Sequence, residues 1–209
     1  MRSPSSPIAF PLLSQLNRLV CRVMYQVSPP PQSPLPEAGP VLVVSDHTSL
    51  SDPLVLLATA GRPIRFLMAR EIYQRPHLRW VFRAFDCIPV TRGSYDVAAV
   101  RTMVRALHQG EVVGLFPEGG IHEYREESGH LGIGYLVLKT GAPVVPVSIS
   151  WDKVRPVSLL GTLLRPGKAV VRYGAPMVLP PEPDPNRGRL GEVTADVMRA
   201  IRDLGRLTA

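Results

Sequence analysis

From Pro40 onwards, short apolar runs alternate with segments of helical periodicity, and this alternation restricts the fold more than any other feature. The runs are short enough for buried strands, and the segments between them carry apolar residues three and four positions apart. Strands are predicted at 41–44, 64–68, 87–90, 112–116, 144–149 and 169–173, and helices at 54–60, 75–85, 97–108, 131–139 and 192–204. This order predicts an α/β fold, with a mostly parallel or mixed central sheet flanked by helices.

The chain length limits the number of domains. With 209 residues the chain can bury one sizeable core. A hydrophobic share of 45% and a charged share of 20% are ordinary for a globular protein and exclude a disordered or fibrous chain. Prolines gather at 29–40 and 176–185, where they interrupt regular structure. We therefore expect an N-terminal helix and proline-rich linker over 1–39, followed by one domain over 40–209.

Residues 8–27 have the apolar spacing of an amphipathic helix. Two uses fit this spacing: a helix packed on the core, or a helix lying in a membrane interface. Polar residues interrupt the segment, so we expect neither a signal peptide nor a transmembrane helix. The stripe consists of Leu12, Leu16, Leu19, Val23 and Val27, widened by Leu13, Val20 and Met24, and the interruptions are Gln15, Asn17, Arg18 and Arg22.

Charge and cysteine content narrow the possible partners and compartments. The net charge of +7 favours an anionic partner such as a lipid headgroup, a nucleic acid or a phosphorylated small molecule. The chain carries no recognised nucleic-acid-binding motif, so we do not expect a nucleic-acid partner. Cys21 and Cys87 cannot form a disulfide framework, which favours a reducing compartment. Histidines outside residue 47 lack ligand spacing, and no metal is predicted.

The segment SDHTSLSDP follows the first predicted strand and contains a histidine and a carboxylate five positions apart, His47 and Asp52. In parallel sheets, active residues lie at the carboxyl ends of strands. With His47 in the loop and Asp52 as N-cap of the next helix, the carboxylate can fix the imidazole tautomer and make it a general base. The alternative is that Asp52 only caps the helix and His47 is only hydrogen-bonded.

Two other segments follow strands in the same way. VVGLFPEGG presents Glu118, with Gly119 and Gly120 allowing the backbone to approach a ligand. CIPVTRG presents Arg92, which can hold a phosphate through two hydrogen bonds. A polar turn and an exposed arginine without further roles are the alternatives.

Taken together and in order, HTSLSD, IPVTR, FPEG and VVPVSI resemble the four motifs of the 1-acylglycerol-3-phosphate acyltransferase family, within the glycerolipid and lysophospholipid acyltransferases. GIGYLVLKTGAPVVPV also resembles the helix-to-strand passage of that family. The resemblance covers about residues 40–150, so it implies an acyltransferase domain over most of the predicted core.

The resemblance implies a reaction and its residues. His47 deprotonates the hydroxyl of a lysophospholipid, most simply 1-acylglycerol-3-phosphate, which attacks an acyl thioester directly and gives phosphatidate. Asp52 orients His47, and Arg92 binds the acceptor phosphate. The donor implied is acyl-CoA or acyl-carrier-protein, without a further cofactor. A transacylase that uses a phospholipid donor is a close variant.

The remaining implied residues lie in the third and fourth motifs. Glu118 with Gly119 shapes the acceptor site. Gly120 follows the third motif, and the backbone approach that glycine allows predicts it as a further substrate-binding residue. Pro146 is structural or lines the acyl site. The chain has no G-x-S-x-G segment that would supply a serine nucleophile, which agrees with direct attack.

Two positions depart from the family pattern. Asp46 stands where the family often has asparagine, so a second carboxylate either affects the base or points away from it. FPEG is followed by Gly120, Ile121 and His122 in place of Thr-Arg-Ser, which leaves a phosphate-binding arginine missing there, although Arg125 is near. The alternative function is a catalytically inactive basic module that binds anionic lipid.

Lipid substrates imply contact with a membrane surface. We expect peripheral or monotopic attachment to the cytoplasmic face of the cell membrane. Two segments are candidate anchors, 8–27 and the basic-aromatic segment 77–85. The second carries Trp80, Phe82 and Phe85, for which burial in the core is the alternative.

Overall fold

A computed structural model describes residues 9–27, 30, 33–91, 96–117, 127–153, 161 and 165–206. Its helices are α1 Ala9–Met24, α2 Asp52–Thr59, α3 Arg70–Tyr73, α4 Pro76–Ala84, α5 Val97–His108, α6 Glu127–Thr140 and α7 Arg187–Arg206. Its strands are β1 Val41–Ser45, β2 Ile64–Ala69, β3 Ile88–Val90, β4 Val112–Leu115, β5 Val144–Trp151 and β6 Ala169–Tyr173. Each predicted strand is present, and α3 is a short helix that periodicity did not indicate.

The strands form one mixed sheet in the order β3-β2-β4-β1-β5-β6. Pairings among the first five positions of that order are parallel, and β6 runs antiparallel to β5. Every residue of β1 is buried, because helices cover both faces of the central strands. The predicted mixed α/β fold is therefore confirmed. Since β1 and β4 are parallel neighbours, the residues that come soon after them, His47 and Phe116, lie close together.

The two faces of the sheet carry different helices. Leu42 and Val44 of β1 pack into a cluster with α5, α6 and α7, whereas Val41 and Val43 pack into a second cluster with α2. This alternation is the period of two that a strand imposes on its side chains. Gly134 in α6 lies so close to the Leu190 carbonyl of α7 that a Cβ there would overlap it.

Helix α1 forms an additional layer outside α2. The Asn17 side chain donates to the Leu54 carbonyl at 2.8 Å, and Cys21 lies in a buried cluster with Val55. The opposite side of α1 is exposed and aliphatic, with Leu12 62%, Leu16 57%, Leu19 59% and Val23 67% exposed. The stripe identified in the sequence therefore faces away from the core, and a side of α1 that includes a polar residue packs on α2.

Two details of this region differ from the sequence prediction. Helix α1 ends at Met24 and not at residue 27, because Gln26 adopts a φ of 51° that helical geometry does not allow. Val27 lies beyond the helix and is buried, so it does not belong to the exposed stripe. Among the helices that the structure describes, none is long and apolar enough to span a bilayer.

Candidate active site

The loop between β1 and α2 carries the predicted dyad at the carboxyl end of a central strand. His47 Nδ1 and Asp52 Oδ2 are 3.0 Å apart. Helix α2 begins at Asp52, and its N-cap is Ser51. The predicted capping role of Asp52 is therefore wrong, because its carboxylate accepts hydrogen bonds from the preceding loop.

The Asp52 carboxylate is fully buried, and the preceding loop satisfies one of its oxygens. Oδ2 accepts the backbone N–H of Thr48 at 2.8 Å and that of Ser49 at 2.7 Å, in addition to the His47 ring. These bonds wrap the loop around the carboxylate, so the loop conformation and the position of the histidine are fixed together.

The other carboxylate oxygen bonds to a distant strand. Trp151, the last residue of β5, donates its indole N–H to Asp52 Oδ1 at 2.9 Å. The Tyr25 ring packs edge-on to this indole, with centroids 5.2 Å apart, and the Tyr25 hydroxyl accepts the Ser51 hydroxyl at 2.9 Å. Neither aromatic residue was predicted as part of the site, because both lie far from the loop in sequence.

The His47 ring is stacked on its face by an aromatic ring, in addition to the contact of its Nδ1 with Asp52. Phe116, which follows β4, stacks on the imidazole with centroids 4.2 Å apart and planes inclined by 25°. Phe66 of β2 stacks on Phe116 in turn. Because Nδ1 faces Asp52, Nε2 is the ring nitrogen that can take a proton from a substrate.

Asp46 points away from this dyad and towards β5. Its carboxylate accepts the Ile149 N–H at 2.9 Å, the Ser148 hydroxyl at 3.1 Å and the Ser45 hydroxyl at 3.3 Å. Burial raises the pKa of the Asp46 carboxyl, an effect that the Ile149 and Ser148 hydrogen bonds oppose and the Asp52 charge reinforces. Of the two possibilities for this departure from the family pattern, the geometry supports a carboxylate that points away.

A cationic cavity of about 400 Å³ opens at the same edge of the sheet, where β2 ends. Its lining includes Arg70, directly after β2, and Arg79 of α4. Arg70 donates to Thr91 Oγ1 at 3.0 Å and to Asp96 Oδ2 at 3.3 Å. The strand-end rule could have identified Arg70 in the sequence, since it follows a strand just as Arg92 does.

Asp96 joins the start of α5 to the end of β3. Its carboxylate accepts the Ala99 N–H at 2.9 Å and the Thr91 N–H at 3.0 Å. These two bonds, together with Arg70, lower the pKa of Asp96 to about 2. Thr91, the residue directly before Arg92, is therefore connected by hydrogen bonds to Asp96 and to Arg70 of the cationic cavity.

Of the other predicted site residues, the structure describes Pro146 but not the arginine of the second motif or the residues at the end of the third motif. Arg92, Glu118, Gly119 and Gly120 lie outside the described residues, so their roles stay predictions. Pro146 is buried in β5, in register with Val44 of β1, and its ring lies beside Gly174.

The two thiols are poorly suited to nucleophilic chemistry. Burial raises the pKa of Cys21 to about 12, and burial together with the Asp86 charge raises that of Cys87 to about 12. Thiolates, the reactive form, are therefore scarce at neutral pH. Within the described ranges, no group of three or more His, Cys, Asp or Glu side chains is arranged to hold a metal ion.

Comparisons with known proteins agree with this arrangement. A solved structure, the 1-acyl-sn-glycerophosphate (LPA) acyltransferase PlsC from Thermotoga maritima, superposes with a TM-score of 0.68 at 22% identity. The match covers 96% of this chain and 80% of that one. At this level of identity the superposition shows a common fold.

Sequence relatives include proteins with two different names. The 1-acyl-sn-glycerol-3-phosphate acyltransferase of Borreliella burgdorferi is 26% identical over 122 residues, which are 55% of this chain and 47% of that protein. The N-acylphosphatidylethanolamine synthase of Arabidopsis thaliana is 30% identical over 123 residues, 54% of this chain and 43% of that protein. The chain thus spans about half the length of the curated relatives that it matches.

A family model described as Acyltransferase matches residues 31–150, which is more than half of the chain and includes the dyad loop, the cationic cavity and Pro146. The chain therefore belongs to the acyltransferase family.

Proposed function

We propose that this protein transfers a fatty acyl group from an acyl thioester to the hydroxyl of a lysophospholipid, with 1-acylglycerol-3-phosphate as acceptor and phosphatidate as product. The observation that carries the proposal is the 3.0 Å contact between His47 Nδ1 and the buried Asp52 carboxylate at the end of β1. An imidazole held in this way can act as the general base for a hydroxyl.

The proposed reaction is a direct transfer from donor to acceptor, without an acyl-enzyme intermediate. Nε2 of His47 takes the proton of the acceptor hydroxyl while the hydroxyl oxygen attacks the thioester carbonyl. The tetrahedral intermediate then expels the thiolate of the donor. His47 gives the proton to this thiolate, so that an ester and a free thiol leave. Asp52 keeps its hydrogen bond to Nδ1 and stabilises the imidazolium between these steps. Attack without an acyl-enzyme is supported by the raised pKa values of both cysteines.

The acceptor phosphate requires cations near the dyad. We propose that Arg92 binds it, as the family resemblance implies, and that Arg70 and Arg79 contribute from the cationic cavity. Arginines at one strand-end edge can surround a phosphate with several hydrogen bonds. This group would compensate for the arginine missing after FPEG. Glu118, Gly119 and Gly120 would complete the acceptor site.

The donor and cofactor requirements follow from the same chemistry. Acyl-CoA and acyl-carrier-protein both present a thioester, and the thiolate is a good leaving group. The proposed reaction therefore needs no cofactor besides the donor. Acyl transfer from a second phospholipid is the variant that a thioester-dependence test excludes.

We also propose that α1 binds the membrane surface through the lipid face, defined as Leu12, Leu16, Leu19 and Val23. Four exposed aliphatic residues on one side of a helix suit the boundary between headgroups and acyl chains. Arg18 and Arg22 are exposed on the same helix and can meet anionic headgroups. Attachment to the cytoplasmic face is part of this proposal.

The second candidate anchor adjoins the first. Phe10 of α1 contacts Phe85, after α4, edge to face at 5.7 Å. Trp80 is 59% exposed, whereas Phe85 is buried. The segment 77–85 therefore divides its aromatic residues between core and surface, and Trp80 is the one suited to a membrane interface.

The test uses purified protein in mixed micelles with lysophosphatidate and a labelled acyl-CoA or acyl-carrier-protein. Wild type is compared with His47→Ala, and phosphatidate is followed by chromatography. We expect product from wild type and a decrease of roughly a hundred- to ten-thousandfold in the variant. Equal rates would remove His47 from the mechanism.

The same assay examines the alternatives. If a panel of lysolipids and amine-bearing headgroups yields no acylated product from wild type while vesicle binding persists, the inactive lipid-binding module becomes the function. Acylation of an ethanolamine amine in place of a hydroxyl would change the acceptor and leave the dyad in place.

A further inference from the structure

We infer that Trp151 is a positioning residue for the His47–Asp52 dyad and that Tyr25 holds Trp151 in place. The inference deepens the proposed function and rests on it for its kinetic consequences. It assigns a role in the site to the segment after α1, some twenty positions before the dyad loop.

The first step is the division of hydrogen bonds over the Asp52 carboxylate. Oδ2 is occupied by three donors from the adjacent loop. In the described part of the chain, the Trp151 indole N–H is the only donor within hydrogen-bond distance of Oδ1. Local bonds to one oxygen leave the carboxylate free to turn about the axis through that oxygen, and the bond at Oδ1 prevents this rotation.

The second step is the origin of the indole position. The pairing of β1 with β5 reaches Ser45 opposite Val147, and β5 continues beyond that pair to Trp151. Trp151 still pairs with Ala169 of β6, so its backbone is fixed on the side away from the loop. The longer strand thereby delivers a side chain to the level of the dyad.

The third step is the contact with Tyr25. Its ring meets the indole at 85° between planes, the edge-to-face arrangement that aromatic pairs favour. Its hydroxyl accepts the Ser51 hydroxyl, directly before Asp52, and its carbonyl accepts the Ala169 N–H at 3.0 Å. Tyr25 therefore contacts both the strand end and the dyad loop.

The experiment compares Trp151→Phe, which keeps an aromatic ring but lacks the N–H, with the control Tyr173→Phe. The control removes a buried hydroxyl that bonds Thr59 at the other end of α2 and does not touch Asp52. We expect Trp151→Phe to lower kcat about ten- to a hundredfold, with KM for the lysolipid within about twofold of wild type. Tyr173→Phe should retain wild-type kcat.

A spectroscopic measurement tests positioning without catalysis. Proton NMR of histidine-labelled protein should show a downfield His47 Nδ1 proton in wild type, assigned by its loss in His47→Gln. We expect this signal to broaden or move in Trp151→Phe and to stay unchanged in Tyr173→Phe. If wild type proves inactive on every lysolipid, the proposed function fails, and this signal still decides the role of Trp151.

Tyr25 is tested by a double-variant cycle. Tyr25→Leu should lower kcat in the wild-type background and have little further effect in Trp151→Phe, because both changes release the same carboxylate oxygen. The inference is overturned if Trp151→Phe has wild-type kcat and an unchanged Nδ1 proton. It is also overturned if both single variants and Tyr173→Phe lose activity only in proportion to their melting temperatures.

Discussion

The carboxylate of Asp46 accepts the backbone N–H of Ile149 at 2.9 Å, just past the point where the backbones of β1 and β5 stop pairing. A side chain thus takes the place that the next residue of a longer β1 would fill. The Ser148 hydroxyl donates to the other oxygen of the same carboxylate. These two hydrogen bonds fix the direction in which the chain leaves β1, immediately before His47.

Asp46→Asn should change the pH dependence of stability. Because burial raises the pKa of Asp46 in the folded protein, the wild-type carboxyl favours folding below its ordinary value of 3.8, and this contribution is lost as the pH rises through the raised pKa. Asparagine keeps an acceptor for Ile149 and carries no charge. The free energy of unfolding of the variant, measured by urea denaturation, should therefore rise relative to wild type from about pH 4 upwards. A difference that stays constant between pH 4 and 7 would contradict this assignment.

Asp52→Asn should abolish most activity and destabilise the fold. In one orientation the amide NH₂ meets three donors at the Oδ2 position, and in the other it meets the indole N–H. We expect a loss of roughly a thousandfold or more in kcat and about 1–3 kcal/mol in the free energy of unfolding. Asp152→Asn is the matched control, because Asp152 is exposed and its carboxylate accepts only the Lys168 N–H in the described region. Similar losses in both variants would argue against a specific role for Asp52.

Polar substitutions on the lipid face should weaken membrane binding without unfolding the protein. Leu16 and Leu19 are exposed, and each leucine transferred to an apolar environment contributes about 1.5–3 kcal/mol. The double variant Leu16→Ser, Leu19→Ser should bind anionic vesicles at least about tenfold more weakly in sedimentation assays. Val178→Ser, at a residue that is 72% exposed and lies outside α1, should bind as wild type does. Unchanged binding of the double variant would place the membrane contact elsewhere.

Two glycines of α6 should differ in their response to alanine. A methyl group at Gly134 would overlap the Leu190 carbonyl, so Gly134→Ala should destabilise the fold by about 1–3 kcal/mol. In the part of the chain that the structure describes, nothing lies within 4 Å of a Cβ at Gly132, so Gly132→Ala should be neutral or stabilise the helix by up to about 1 kcal/mol. Thermal unfolding of the two variants measures both. Equal effects would contradict the close contact between α6 and α7.

The sequence was sufficient to predict the strands, because parallel strands covered on both faces appear as continuous apolar runs. It also predicted that His47 and Asp52 meet, since strand and helix signals bracket their loop. It did not indicate that Asp52 bonds backwards into that loop, because an aspartate before proline has the same local pattern whether it caps the helix or not. The sequence also did not indicate which side of α1 packs on α2 and which side is exposed. Periodicity gives the width of an apolar stripe but not the side on which the core lies.

Trp151 illustrates a further limit of sequence interpretation. Its contact with Asp52 spans 99 positions and depends on β5 being longer than β1. No spacing rule relates the two residues, and an aromatic residue at a strand end is equally compatible with packing alone. Residues such as this one become visible when the register of neighbouring strands is known.

Most hydrogen bonds that hold the Asp52 carboxylate come from His47, Thr48 and Ser49, all within five positions of it. The long-range contribution is a single indole N–H. The loop is therefore close to a transplantable unit for protein design. A host sheet would need a parallel strand followed by the six residues HTSLSD, His47 to Asp52 in this chain. It would also need a neighbouring strand long enough to offer one N–H donor to the carboxylate oxygen that the loop leaves unbonded, Oδ1.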